Sequence, residues 1–392
     1  VALNFTVNEE SRFDRKHYFY PDIPKNFQIT QYDRPICQKG YLAAGGKTFG
    51  ILRAHLEEDA GKLIHDQDPE FSKVDLNRAG VPLVEIVSDP DFRSPDEAVA
   101  YLTELKAVLK SAGVSDCEMQ EGSLRCDANI SLRVPGAAVY GNKVEIKNLN
   151  SFKNVHKALL HEQVRQAALL EAGQRVPSET RSFDAETETT ATLRSKEEVA
   201  DYRYFPEPDL PPLRLAALGI DVGKIRASLA ELPAALRERF QKDYGLKPYD
   251  VEILTRDPDI ADYYQSSAAA TVHREALGNW VKTYILGVLN EQKISIGQFP
   301  ITPIAMARFV DDMERRGLNS GRKGDIFRQV VARKGDVDGV LAEVKDEGIR
   351  DAGALEALVS AVIAEHPKVA EEYRSGKDAA LSFLMGQVMK KS

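Results

Sequence analysis

The chain has 392 residues, more than one ordinary hydrophobic core organises, so two or three domains are expected. With 43% hydrophobic and 29% charged residues it has a soluble globular composition, and its net charge of −8 argues against nonspecific wrapping of nucleic acid while leaving room for a local basic groove. Three cysteines without ligand-like spacing argue against a disulfide framework or a zinc module, and no run of about 18 apolar residues or signal-peptide pattern occurs, so a reducing, cytoplasmic setting is expected.

In chain order, Val1 opens in mid-pattern without an initiator Met, as though the chain were a piece of something longer. Up to about residue 215, short apolar runs such as Gly50 to Leu56 and Val81 to Val87 lie between Pro, Gly, Asn and Asp, which predicts a sheet-rich region. Ala44-Gly45-Gly46-Lys47-Thr48 lacks the first glycine of a Walker loop and reads as a hairpin tip. In HLEEDAGK, a persisting strand places His55, Glu57 and Asp59 on one face and Glu58 on the other. Adjacent acids repel unless solvent or a cation neutralises them, so this is either a solvated strand end or an oxygen-rich site of the kind Mg²⁺ prefers. Beyond Asp75, Asn77 and Arg78, Glu85 interrupts an apolar run. A carboxylate there needs a partner, which is either Arg78 across the hairpin or a phosphate or metal.

Ser94, Pro95 and Glu97 carry the signature of a capped helix start with a capping box, Tyr101, Leu102, Leu105, Val108 and Leu109 its apolar stripe, and Gly113 its stop. EGSLRCDANISLRV then alternates as a strand. Arg125, Asp127, Asn129, Ser131 and Arg133 fall on one face, and Cys126, Ala128, Ile130, Leu132 and Val134 on the other. KVEIKNLNSF repeats the pattern, with Lys143, Glu145 and Lys147 opposite Val144, Ile146 and Asn148. Two such strands side by side offer carboxylates for a cation and bases for phosphate oxygens, the parts phosphoryl transfer needs. A second helix is predicted from near Ser151 to Gly173. Strands with separate helices predict an α+β domain with a largely antiparallel sheet over residues 1–215. DYRYFPEPDLPPL forms its extended border. Helical spacing follows over 216–300, from Ile220 to Tyr244 and onward through Trp280 and Tyr284, which read as core. A charge-balanced helical part covers 301–392, with Gly317, Gly321, Gly324, Gly335 and Gly348 as stops.

DLNRAGVPLVEIVS, HLEEDAGK, EGSLRCDANISLR, EIKNLNSF and DYRYFPEPDLPPL resemble the B subunit of the aspartyl/glutamyl-tRNA amidotransferase, the GatB family, and GKDAALSFLMGQVMK is similar to that family's tail domain. No large insert follows Leu213, which favours GatB over its relative GatE. The resemblance implies a cradle similar to glutamine synthetase and guanido kinases, followed by a helical domain and a tRNA-binding tail. It implies a heterotrimer with an amidase subunit and a small third subunit, which uses ATP and Mg²⁺ to phosphorylate the side-chain carboxylate of Glu on tRNA(Gln) or Asp on tRNA(Asn) before ammonia forms the amide. Carried onto this sequence, it makes Glu58, Glu145 and Asp127 the expected metal ligands. Arg78, Arg125 and Lys147 are expected at ATP phosphates, and Arg125, Lys147 and Asn150 at the reacting group. It also implies a preceding Glu-Val-His strand that helps hold the metal. A tRNA-binding scaffold without chemistry and a free-standing glutamine-synthetase-like ligase are the alternatives.

Overall fold

In the computed structural model, which describes residues 1–65, 71–134, 136–195, 202–344 and 352–391, the chain opens with six strands: β1 (Thr6–Val7), β2 (Glu10–Ser11), β3 (Asp14–His17), β4 (Phe27–Thr30), β5 (Cys37–Ala44) and β6 (Lys47–Glu58). Gly45 and Gly46, at φ 57° and 78°, make the two-residue turn between β5 and β6, a conformation that residues with a Cβ resist. The hairpin tip is therefore where the sequence puts it. The sixth strand also pairs antiparallel with β9 (Pro82–Ser88), after a small hairpin of β7 (Lys62–His65) and β8 (Ser72–Asp75). These strands give the sheet order β1-β5-β6-β9.

Helix α1 (Pro95–Ser111) starts as predicted, with the Ser94 hydroxyl accepting the Glu97 N–H. The reciprocal half of the capping box is absent. Glu97 instead accepts the Arg93 N–H and pairs with Lys47, so it ties the helix start to the β5–β6 hairpin. The apolar stripe of α1 buries Tyr101, Leu105 and Val108 against Leu42, Phe49 and Ile51 of the hairpin. Each such side chain contributes roughly 1.5–3 kcal/mol. Leu102 also reaches a second core.

That second core lies between helix α2 (Phe152–Glu171) and the sheet order β10-β11-β12-β13, formed by β10 (Cys126–Ile130), β11 (Val144–Leu149), β12 (Glu179–Asp184) and β13 (Thr189–Ser195). Cys126, Ala128 and Ile130 pack toward it, as their alternation predicts. Three details differ from the sequence reading. The tenth strand stops at Ile130, so Ser131 and Arg133 lie beyond it, and β11 pairs parallel with β12 in an otherwise antiparallel sheet. Asn148 leaves the apolar face because it sits at φ 63° in a bulge, where Ala128 opposes Ile146 but Cys126 opposes Leu149; Leu149 takes the core position.

The chain divides into two compact units, Val1–Glu238 and Arg239–Ser392. The proline-rich border belongs inside the first. There β14 (Phe205–Pro206) pairs with β3, β15 (Leu213–Arg214) pairs with β2, and the Glu207 carboxylate accepts two hydrogen bonds from Arg15. The expected helix from Ile220 to Tyr244 is two, Val222–Ser228 and Pro233–Tyr244, because Pro233 forces a restart and Leu232 packs on the first core. The second unit is all helical, and Trp280 is buried beside Tyr284, Phe309 and Phe327. Gly317, at φ 64°, ends helix Pro303–Arg316, whereas Gly321 and Gly324 lie inside helix Ser320–Ala332 rather than stopping it. Gly348 and Asp201 lie outside the described residues. No described helix is long and apolar enough to cross a membrane.

Candidate active site

The end of β6 and the strand beside it bring together one imidazole and two carboxylates. His55 Nε2 lies 3.6 Å from Glu57 Oε2 and 3.8 Å from Glu85 Oε2, and one ligand atom from each of the three falls within 4.8 Å of the others. Register explains it: His55 faces Glu85 across the β6–β9 pair, and Glu57 is two residues further along the same face. Burial pushes the Glu57 carboxyl up, but His55, Lys16 and the Thr30 hydroxyl outweigh it and hold the group below the ordinary Glu value. His55 is buried, and its Nδ1 has no hydrogen-bond partner among the described residues. A divalent cation fits this donor set, which holds two oxygens and a nitrogen.

Asp59, one residue past β6, takes a different direction. Its carboxylate receives Arg125 Nη2 at 2.6 Å and Arg78 Nη2 at 2.8 Å, and it is almost fully buried while the two arginines stay about half exposed. Arg78 also donates to the Gly122 carbonyl at 2.8 Å. A Cβ on Gly122, which sits at φ 77°, would come within 2.5 Å of Arg78 Nη1, so the glycine of EGSLRC makes room for the guanidinium. The Arg78–Glu85 pairing considered from sequence does not form. Arg78 belongs to Asp59, and Glu85 to His55. This two-arginine bridge connects the β6 sheet to the β10 sheet.

On the β10–β11 face, Lys147 Nζ lies 2.5 Å from Asp127 and 3.2 Å from Glu145. Burial lowers the Lys147 pKa, but the two carboxylates overcome it and the ammonium is held above its ordinary value. Thr180 donates to Glu145 at 3.2 Å. Neighbouring Cys126 is no nucleophile, since burial pushes its thiol up to about 12.

The residues singled out from sequence therefore fall into three groups. Arg78 and Arg125 converge on Asp59; Glu145, Asp127 and Lys147 form one ion cluster; Asn150 stands at the start of α2, its Oδ1 accepting from Asn154 at 2.5 Å. The expected metal trio does not assemble as one ligand set. Glu58 points away, accepting the Ile29 N–H at 2.7 Å and pairing with Lys25. The reason is the strand period: Glu57, not Glu58, shares the face of His55. His55, Glu57 and Glu85 are the only three His, Cys, Asp or Glu residues, among those described, that come within ligating distance of one another. The alternation of HLEED carried that signal, but the sequence alone does not show which face Glu85 meets.

The α+β unit and the all-helical unit are each matched, over most of their length, by one family. Residues 1–220 match the GatB/GatE catalytic domain and residues 262–392 the GatB domain, and the chain belongs to this family. Within it, the chain is 46% identical to the B subunit of the aspartyl/glutamyl-tRNA(Asn/Gln) amidotransferase of Carboxydothermus hydrogenoformans, over all of this chain and 82% of that protein. It is 44% identical to the B subunit of the same enzyme from Geobacillus thermodenitrificans, again over 82% of it, and 43% identical to that from Thermosynechococcus vestitus, over 81%.

Proposed function

We propose that this chain is the component of a tRNA-dependent amidotransferase that activates the side-chain carboxylate of Glu on tRNA(Gln) or Asp on tRNA(Asn) by phosphoryl transfer from ATP, ahead of amide formation. The observation that carries the chemistry is the Asp59 bridge, which gathers Arg78 and Arg125 on one buried carboxylate two residues along the chain from Glu57 of the His55, Glu57 and Glu85 set. A carboxylate is a poor electrophile until one of its oxygens becomes a phosphate leaving group. The residues needed are those that gather negative charge. Arg125 and Arg78, each with donors left over from Asp59, neutralise the oxygens of the transferred phosphoryl group. Lys147, held as an ammonium by Asp127 and Glu145, adds a movable cation on the adjoining face. His55, Glu57 and Glu85 would hold Mg²⁺ or a similar cation, with Glu58 bracing the strand behind them; when bound, the cation lowers the repulsion between phosphate and carboxylate. Asn150 orients the reacting group from the start of α2. Ammonia displaces phosphate to give the amide, and water must be kept out because an acyl phosphate hydrolyses readily.

The partners in this reading are an amidase subunit that frees ammonia from glutamine and a small third subunit, with the tail from residue 301 binding tRNA through a few Lys and Arg rather than a uniformly basic face. A cradle related to glutamine synthetase and guanido kinases is consistent with the strand-floored site. The name shared by the relatives, over the whole length of this chain, supports this reading over a free-standing ligase. The test is Glu57→Gln in the assembled complex. Amide formation on mischarged tRNA should fall at least a hundredfold while glutamine hydrolysis by the partner largely survives; equal loss of both activities would sink the proposal.

A further inference from the structure

Three segments that the reaction so far leaves idle meet on one face of a small sheet. β14 pairs with β3 and β3 with β4, and the register places Lys16 opposite Gln28, with Tyr204 next to the paired Phe205 and Arg15. Tyr32, just past β4, stacks on Tyr204, with ring centroids 4.2 Å apart and planes 11° from parallel. Tyr202 stands edge-on to Tyr204 at 6.0 Å and to Tyr18 at 6.3 Å. Lys16 Nζ lies 4.9 Å from the Tyr202 ring centroid and 5.8 Å from that of Tyr18. This face adjoins the carboxylate set, because Thr30 of β4 donates to Glu57.

Two features do not suit a purely structural stack. Tyr32 is 52% exposed, so the stack ends on a ring half open to solvent. Arg53, whose Nη1 donates to the Tyr32 carbonyl at 3.2 Å, has a buried Nε with no acceptor among the described residues. Aromatic rings beside a lysine and an arginine with an unfilled donor are the chemistry that seats a nucleotide, the rings taking the base and the cations its phosphates.

We propose that the Tyr32–Tyr204 stack seats an adenine ring, with Lys16 and Arg53 facing the phosphate or ribose oxygens attached to it. This rests on the reaction proposed above, which brings two adenines to the site: that of ATP and the terminal adenosine of the tRNA acceptor strand. Either ring stacks by the same chemistry, and kinetics separate them. In the assembled complex carrying Tyr32→Ala, amide formation is measured with ATP varied at saturating mischarged tRNA, and then with the tRNA varied at saturating ATP. One of the two KM values should rise about tenfold with kcat changed less than twofold, and Tyr32→Phe, which keeps the ring, should return it to near the unsubstituted value. A rise confined to ATP assigns the platform to ATP, and a rise confined to tRNA assigns it to the acceptor end. Two unchanged KM values overturn the platform while leaving the reaction standing. If the unsubstituted complex makes no amide, the reaction itself is refuted; equal affinities of the Tyr32→Ala and unsubstituted proteins for ATP and for tRNA, measured by direct binding, would then overturn the platform as well.

Discussion

Two clusters in the first unit are built from the same residue types, arginine and carboxylate, and differ in balance. Behind the second sheet, Glu162 of α2 receives Arg165 at 2.8 Å and Arg181 at 3.0 Å, while Arg181 also reaches Glu179 at 2.8 Å. Thr190 donates to Glu162 at 2.5 Å, and the Glu162 side chain has no solvent exposure. Two acids meet two arginines, and every charge has its counterpart. At the bridge between the sheets, one buried acid, Asp59, meets two arginines that are about half open. A balanced, sealed network bolts a helix to a sheet. An unbalanced, open one has cation to spare for a ligand, and that difference separates the bolt from the site.

Breaking the bolt should have the largest effect on the fold. Glu162→Ala leaves Arg165 and Arg181 with Glu179 as their one remaining acid, so one largely buried positive charge goes unmatched, and it should destabilise the first unit by about 3–5 kcal/mol, read from chemical denaturation. A loss below about 1 kcal/mol would mean that the network is solvated and not a bolt. Arg125→Ala should do the opposite. Amide formation should fall by about 10²–10³, as when a donor to developing charge is removed, with stability changed by less than about 1 kcal/mol because the side chain is already half in water. If activity survives and stability collapses, the comparison is reversed and Asp59 is the bolt.

Much of this is legible in the sequence. The cap at Ser94, the Gly45-Gly46 turn and the strand alternation in RCDANI rest on local chemistry, and the structure reproduces them. What the sequence does not supply is pairing between distant segments. Glu57 and Glu58 are equivalent neighbours until β9 brings Glu85 to one face, and Arg78 has two acids within reach until Gly122 lets it lie against the next sheet. Tyr32, Tyr202 and Tyr204 carry no signal in the sequence because the segments that hold them are about 170 residues apart, and their stacking depends on a strand pairing that no local period announces.

Acid should weaken the Glu162 network and the His55, Glu57 and Glu85 set in the same direction. Burial raises the Glu162 carboxyl, but Arg165, Thr190 and Gln166 overcome it, and like Glu57 it is held below the ordinary Glu value. A carboxyl with a depressed folded value binds fewer protons folded than unfolded, so its stabilisation is present above the unfolded value and is lost as pH falls through the folded one. Unfolding midpoints should therefore hold steady down to about pH 4.5 and drop below it. Glu57→Gln should flatten part of that drop, and an unchanged slope would show that His55 and Lys16 do not stabilise the Glu57 carboxylate.

The smallest expected effect tests how the site face is aimed. The bulge at Asn148 keeps Lys147 on the face of Asp127 and Glu145, and it is held by the left-handed backbone of Asn148 and by its amide donating to the Ser182 hydroxyl at 2.6 Å. Asn148→Gly keeps the backbone freedom but loses the hydrogen bond and gains unfolded-state entropy, so it should cost about 0.5–1.5 kcal/mol. Asn148→Ala loses the hydrogen bond and also strains the backbone, so it should cost about 1 kcal/mol more. If alanine is as stable as glycine in denaturant titrations, the positive φ is not what the bulge requires. The aim of Lys147 would then rest on its two carboxylates alone.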